Sequence, residues 1–385
     1  MSSDERQKAI IEEACLFADQ EIRPYATEFD QQGFLPRELL DKMADKGYLA
    51  ASFPEEFGGL ELDPVYYGLL TEVIGKACCS TRALLTVQTS LVGETLLKWG
   101  NKHQKEKWLP QIARGEKIAA FALTEPNIGS DAKNISCQYQ KHGDNFIING
   151  RKKWITFADI ADFYIVIATH EDKVSAFIVE RSSDGVRTTP IHGMLGARAA
   201  HIAEIEFKNV NVSQENLLGT EAGGFTYVVN TALDHGRYSI AWAGVAIAQA
   251  AIEAMVSYAR QREQFGKKIF HFQLIQGMIA DAVTKTHAAR ALCLKAAEHR
   301  KMQNPEAIIE TTIAKYFASK IALEVASDAV QVHGGVGCCN KYPVERLFRE
   351  AKILEIIEGT SQIQQLIISK YGLKKYNYAQ VLPPI

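Results

Sequence analysis

Phe163-Tyr164-Ile165-Val166-Ile167-Ala168 is an unbroken apolar run, too short for a core helix and rich in β-branched and aromatic side chains. It reads as a strand. Val174 to Val179 and Ile202 to Phe207 repeat the pattern nearby, so the middle of the chain is a cluster of short strands. In Phe146-Ile147-Ile148-Asn149-Gly150-Arg151 the Asn-Gly pair, which tolerates positive φ, predicts a hairpin turn.

Outward from this centre the period changes in both directions. Toward the N-terminus Ile10, Ile11, Cys15 and Ala18 recur at helical spacing between charges. The loop Phe53 to Gly59 is marked by Pro54 and paired glycines. Toward the C-terminus Leu274/Ile275, Met278/Ile279 and Ala282/Val283 are spaced by four, and Ile313, Phe317, Ile321 and Val325 form a second stripe. Long helices with short connections pack naturally as an antiparallel bundle. The expected fold class is α+β, with an α-helical domain over 1–117, a central β-barrel-like domain over 118–231 and a four-helix bundle over 232–385.

A chain of 385 residues fits two or three domains at roughly 150 residues each. Apolar residues at 47% and charged residues at 23% allow substantial cores and argue against disorder. The 43 basic and 45 acidic residues nearly cancel, which removes the basic field that captures nucleic acid or an anionic membrane. The N-terminus lacks the pattern of a secretion signal, and the most apolar stretch, Ile240 to Ala248, is far shorter than the roughly 20 residues a bilayer span needs. A cytoplasmic protein is expected. Seven cysteines without metal-site spacing read as reduced packing residues, and no metal is expected.

Two stretches carry chemistry. Leu123-Thr124-Glu125-Pro126-Asn127-Ile128-Gly129-Ser130-Asp131 follows an apolar run with hydroxyls and a glycine in a Pro-punctuated loop. It could present hydroxyls and backbone N–H groups to a flat polar ring or a phosphate, or be an ordinary turn. In Ile356-Ile357-Glu358-Gly359-Thr360-Ser361 a carboxylate sits between apolar neighbours and a glycine. Desolvation there would raise its pKa toward the range of a general base; a surface Glu at a helix end is the plainer alternative.

Together the two stretches resemble the acyl-CoA dehydrogenase family, and three further stretches extend the likeness in family order. These are Trp154-Ile155-Thr156, Arg260 to Lys267 with Phe272-Gln273, and Gln331-Val332-His333-Gly334-Gly335-Val336-Gly337. The resemblance implies an FAD enzyme in which Thr124, Ser130, Trp154 and Thr156 hold the flavin ring and Phe121, Leu123, Gly129 and Ile155 also bind the cofactor. Arg262, Gln273, Gln331 and Gly335 would serve the flavin of a neighbouring subunit, with Phe265, Val332, Gly334, Thr360 and Gln362 also on the cofactor. It implies a homotetramer or homodimer passing electrons to an acceptor such as an electron-transfer flavoprotein. Glu358 would take the proton α to a thioester, and its backbone N–H would help polarise the carbonyl. Ser130, Asp234, Arg237 and Gly359 would lie along the substrate.

The likeness has departures. Ile357 stands where fatty-acid dehydrogenases carry Tyr, and Phe157-Ala158-Asp159 replaces Asn-Gly after Trp-Ile-Thr. Leu195 to Glu206, Gly236 to Trp242 and Glu355 to Gln365 look more like a subgroup acting on carrier-protein-bound acyl groups in polyketide extender-unit synthesis. The expected function is therefore oxidation of a short acyl thioester on carrier protein. The alternatives are short- or branched-chain acyl-CoA catabolism, and a non-catalytic flavoprotein of this fold on nucleic acid, which the near-neutral charge and intact Glu358 disfavour.

Overall fold

The computed structural model describes residues 2–376; residue 1 and residues 377–385, which end the spans 1–117 and 232–385, lie outside the described residues. The N-terminal part holds α1 (Ser3–Phe17), α2 (Ala26–Gln32), α3 (Arg37–Asp45), α4 (Pro64–Ala77), α5 (Cys79–Leu85), α6 (Glu94–Trp99) and α7 (Lys102–Ala113). Their starts are written in the sequence. Ser2 with Glu5 and Asn101 with Gln104 form reciprocal capping boxes, and Asp63 caps α4 ahead of Pro64. Between α5 and α6, Thr86–Gly93 winds as a π-helix, a widening that recurs at functional sites.

The middle part is one mixed sheet. Its strands are β1 (Ala119–Ala122), β2 (Gln138–His142), β3 (Asn145–Ile155), β4 (Phe163–His170), β5 (Lys173–Glu180), β6 (Val186–Pro190), β7 (Ala203–Ser213) and β8 (Leu217–Leu218). They run in the order β6-β7-β3-β2-β4-β5-β8, with β1 parallel beside β4. The run that opened the reading, 163–168, is the start of β4 and is buried on both faces. Phe163, Ile165 and Ile167 join the large core shared with the helices, while Tyr164, Val166 and Ala168 join the sheet's own core. Period-two geometry thus lets one strand serve two cores, which is why it is apolar throughout.

The Asn149-Gly150 hairpin is not formed. The turn falls at 143–144, between β2 and β3, and Asn149-Gly150 lies inside β3, where the pairing with β7 slips. Gly150 is needed there for room rather than for a turn, since a Cβ would sit 2.7 Å from the Cys137 Cα.

The C-terminal part holds α8 (Asn230–Gln261), a short hairpin of β9 (Glu263–Gln264) and β10 (Lys267–Lys268), then α9 (Gln273–Lys301), α10 (Ala307–His333), α11 (Val344–Leu354) and α12 (Ser361–Lys375). Helix α10 packs on α8, α9, α11 and α12, and α4 covers α8 and α9. Helical winding starts at Gly224, inside the span 118–231 read as β, and the helix from Gly224 to Gln261 is long and apolar enough to cross a bilayer. That is longer than Ile240 to Ala248 indicated, and 78% of its most apolar window is buried among neighbouring helices, as in a core helix. The α9 stripe differs from expectation: Leu274 is 83% exposed and Val283 is exposed too. The cysteines also divide, with Cys78, Cys79, Cys137 and Cys293 buried and Cys15, Cys338 and Cys339 exposed, so the last three are not packing residues within one chain.

Candidate active site

The loop after β1 is pinned from beneath. Glu125 and Ile128 exchange backbone hydrogen bonds of 3.0 and 3.3 Å, closing a tight turn. The Glu125 carboxylate accepts from the Ser136 and Cys137 N–H groups at 2.7 and 2.9 Å and from Lys152 Nζ at 2.7 Å. Lys152 Nζ also donates to the Leu123 carbonyl at 2.9 Å, and both members of the ion pair are out of solvent. Burial pushes the Glu125 carboxyl up, but Lys152, Ser136 and the Cys137 N–H outweigh it and hold it below the usual range. Thr124, Gly129 and Ser130 are left open above this anchor.

Strand β3 supplies the second wall. Its register on β7 shifts between Lys152 and Ile155, and Trp154 sits in the shift at φ 63°. Bulges re-aim side chains, and here the indole is left 48% exposed against a cavity instead of entering the sheet core. A bulky residue at positive φ is strained by about 1–3 kcal/mol, a cost characteristic of functional positions.

The third wall is the turn between α11 and α12. Glu358 lies at φ 54° and Gly359 at φ 89°. Arg237 Nε on α8 donates to the Glu358 carbonyl at 3.0 Å, and Gln364 Nε2 donates to the Glu358 and Gly359 carbonyls at 3.2 and 3.1 Å. Lys315 Nζ on α10, fully buried, donates to the Gly359 carbonyl at 2.8 Å. The residue Glu358 is partly exposed, but its Oε2 is shielded from solvent and has no hydrogen-bond partner. Burial pushes its carboxyl up to about 7, against the opposing pull of Arg237, Lys315 and Arg82. Burial likewise lowers Lys315 to about 8, with Glu358 opposing. The close seat of the carboxylate depends on Gly236 of α8: a Cβ there would stand 2.5 Å from Glu358 Oε2.

These walls enclose a cavity of about 590 Å³, within the range of small-molecule sites. Of the residues expected at the site, Phe121, Leu123, Thr124, Gly129, Ser130, Trp154, Ile155, Thr156, Arg237, Glu358, Gly359 and Thr360 line it. A flat polar ring fits this lining: an indole face, the hydroxyls of Thr124, Ser130, Thr156 and Thr360, and a loop tip at Gly129 with no atom within 4 Å of where a Cβ would project. Asp234 is not part of the lining; its carboxylate is held by Arg300 Nη2 at 2.5 Å. Gln362 is exposed on α12 outside the cavity.

Arg262, Phe265, Gln273, Gln331, Val332, Gly334 and Gly335 lie away from the cavity. They follow α8 and end α10, and Tyr258 stacks on His333 with ring centroids 4.3 Å apart, so both groups share one end of the bundle. All but Val332 are exposed, Phe265 to 93%. Sequence reading missed Arg82, Thr86, Gly236, Lys315 and Gln364.

This fold and this cavity define a flavin-dependent dehydrogenase of acyl thioesters. The chain belongs to the acyl-CoA dehydrogenase family, whose N-terminal, middle and C-terminal domains match residues 4–116, 120–210 and 222–373. It is 42% identical to the probable acyl-CoA dehydrogenase YngJ of Bacillus subtilis over 93% of this chain and 95% of that one. The structure of butyryl-CoA dehydrogenase from Megasphaera elsdenii superposes with a TM-score of 0.92 at 34% identity, covering 97% and 99% of the two chains. FkbI, described as acting in biosynthesis of a methoxymalonyl extender unit, superposes at 0.86 with 31% identity, over 96% and 99%. The family's cofactor is FAD, and the chain is an oxidoreductase acting on CH–CH donors.

Proposed function

We propose that this protein desaturates a short acyl-CoA between its α and β carbons, with Glu358 as the base that removes the α proton. The observation that carries this reading is Glu358 itself: it lines the same cavity as the hydroxyl loop and Trp154, and its Oε2, seated against Gly236 of α8, has no hydrogen-bond partner. With its pKa raised to about 7, the carboxylate is a much better proton acceptor than an ordinary glutamate and is still about half ionised at neutral pH. Arg237 and Gln364 grip its carbonyl, and its backbone N–H donates to no other group among the described residues. That N–H is left to bond the thioester carbonyl and stabilise the charge that grows there as the α proton leaves.

Bound FAD supplies the two-electron acceptor for the hydride leaving the β carbon. Phe121, Leu123, Thr124, Gly129, Ser130, Trp154, Ile155 and Thr156 would hold its ring, and Thr360 would cap both the ring site and α12. Ser130, Arg237 and Gly359 would line the thioester. Asp234, its carboxylate held by Arg300, stands outside the cavity and is not proposed as a substrate contact. Arg262, Phe265, Gln273, Gln331, Val332, Gly334 and Gly335 would complete the flavin site of a neighbouring copy, and the exposed α9 face would lie in that dimer or tetramer contact. The reduced enzyme would pass electrons to an electron-transfer flavoprotein.

A second reading keeps the chemistry and changes the carrier, placing the acyl group on a carrier protein in extender-unit synthesis. The likeness to FkbI and the Leu195 to Glu206 segment favour it; the greater identity to YngJ favours CoA. The test is anaerobic bleaching of the flavin by short acyl-CoA and by loaded carrier protein, with Glu358→Gln in parallel. Glu358→Gln should keep FAD and lose turnover by about 10²–10⁴-fold or more. Retained turnover would remove Glu358 from the role of base.

A further inference from the structure

Glu358 carries both groups the proposed reaction needs, a carboxylate and a free backbone N–H. One torsion, its φ, separates that N–H from the Cβ that bears the carboxylate. The value of φ therefore fixes where the base stands relative to the oxyanion donor. It is 54°, followed by 89° at Gly359. Glutamate populates this left-handed region sparsely and stays there only where the surroundings over-determine it. Relaxation to an ordinary helical φ of about −63° would swing the side chain around the N–Cα bond by roughly 120°.

The surroundings do over-determine it. Before the turn, the N–H groups of Ile356 and Ile357 both donate to the Ile353 carbonyl, at 3.0 and 3.1 Å. After it, the Ser361 N–H donates to the Glu355 carbonyl at 2.9 Å. Between these anchors each carbonyl of the turn takes two donors: Gln364 serves both, Arg237 joins it at Glu358 and Lys315 joins it at Gly359. Lys315 makes the shortest of the four bonds, and it is charge-assisted. Its one hydrogen-bond acceptor among the described residues is the Gly359 carbonyl, not the Glu358 carboxylate, whose Oε2 is unpartnered. A fully buried ammonium is costly, and an apolar side chain would fill this place in α10 without that cost. Gln364 is fully buried as well, and a Cβ at position 359 would stand 2.8 Å from its Nε2, so its grip requires the glycine.

Building on the reading of Glu358 as base, we infer that Lys315 and Gln364 are positioning residues for the reaction: together they clamp the 358–359 turn, hold Glu358 at its left-handed φ, and so keep its carboxylate and its N–H trained on one thioester. Neither lines the cavity. Both act through the backbone of the turn.

The test is anaerobic stopped-flow reduction of the flavin in the holoenzyme by butyryl-CoA, unlabelled and deuterated at the α or the β carbon. Lys315→Met should reduce its flavin about 10²-fold more slowly than the parent while binding crotonyl-CoA within about threefold, because the base is misplaced and the pocket is not. The α-deuterium isotope effect should rise relative to the β effect, since proton transfer to a misplaced base becomes the slower event. Gln364→Met should give the same signature. A parental reduction rate in folded Lys315→Met, or a slower one with the parental ratio of isotope effects, would overturn the proposal. If Lys315→Met does not fold, Gln364→Met decides by the same two readings. Glu358→Gln in parallel keeps the two failures apart: full reduction there removes the base itself, while lost reduction there beside a parental Lys315→Met removes only the clamp.

Discussion

Gly236→Ala isolates the position of the base from the stability of the fold. Gly236 is inside α8, where alanine is favoured over glycine by about 1 kcal/mol. Propensity alone therefore predicts a more stable protein. The added methyl, however, would sit 2.5 Å from Glu358 Oε2, 2.8 Å from Glu358 Cδ and 2.7 Å from Leu91 Cδ2. Ordinary carbon–oxygen contact needs roughly 3.3 Å, so the carboxylate must retreat by about 0.8 Å. It is the free end of a side chain, so it can swing away at small energetic cost. Its backbone cannot follow, because Arg237, Gln364 and Lys315 hold the 358–359 carbonyls. The expected result is an enzyme that folds, keeps its FAD and melts within a few degrees of the parent, but has lost about 10²-fold in kcat/KM, the usual consequence of an ångström-scale misplacement. Steady-state kinetics and thermal melting on the same preparation check it. Near-parental kcat/KM in a folded Gly236→Ala enzyme would refute the claim that catalysis needs Glu358 seated against α8.

Three further outcomes follow from the same geometry. Glu358 has a folded-state pKa of about 7 against an ordinary 4.5, so the stability it contributes is full below about pH 4.5 and is lost as pH rises through 7, roughly 3 kcal/mol in all. Glu358→Gln should accordingly gain stability relative to the parent from pH 5 to pH 8, and identical unfolding midpoints at both values would contradict the burial. Lys315→Met removes a cation that pulls the Glu358 pKa down, so the acid limb of the kcat/KM profile should move to higher pH; a limb that stays put assigns Lys315 a packing role alone. Lys152→Met leaves Glu125 buried and unpaired, which should cost about 3–5 kcal/mol and release FAD from the loosened loop, read by melting temperature and flavin content after gel filtration.

What could be read from the sequence was whatever is locally abnormal. β4 announced itself because burial on both faces demands an unbroken apolar run; Glu358 did not, since a surface Glu at a helix end was the plainer reading of its neighbours and only the family likeness singled it out. Asn149-Gly150 misled for the converse reason: its local chemistry is that of a turn, but β7 and Cys137 recruit it into a strand with a slipped register. The α9 stripe was legible as apolar and illegible as to its partner, because periodicity records that a face is to be covered and not by what.

The residues that were missed share a property. Gly236 in an alanine-rich helix, and Arg82 and Lys315 on helices of ordinary composition, satisfy every local rule, and each is unusual only for what stands opposite it: a carboxylate tip, an open cavity, the carbonyl of Gly359. A helix pattern treats a charged residue as solvated by default, since Arg and Lys are almost never fully buried unless paired. The structure buries both, pairs Lys315 with a backbone carbonyl, and leaves the Nε of Arg82 without a partner beside the cavity. Arg82 and Lys315 both pull down the pKa of the one base, yet neither is bonded to its carboxylate. Charge placed that way tunes Glu358 without occupying the lone pairs it needs for the proton, and that division of labour is written only in three dimensions.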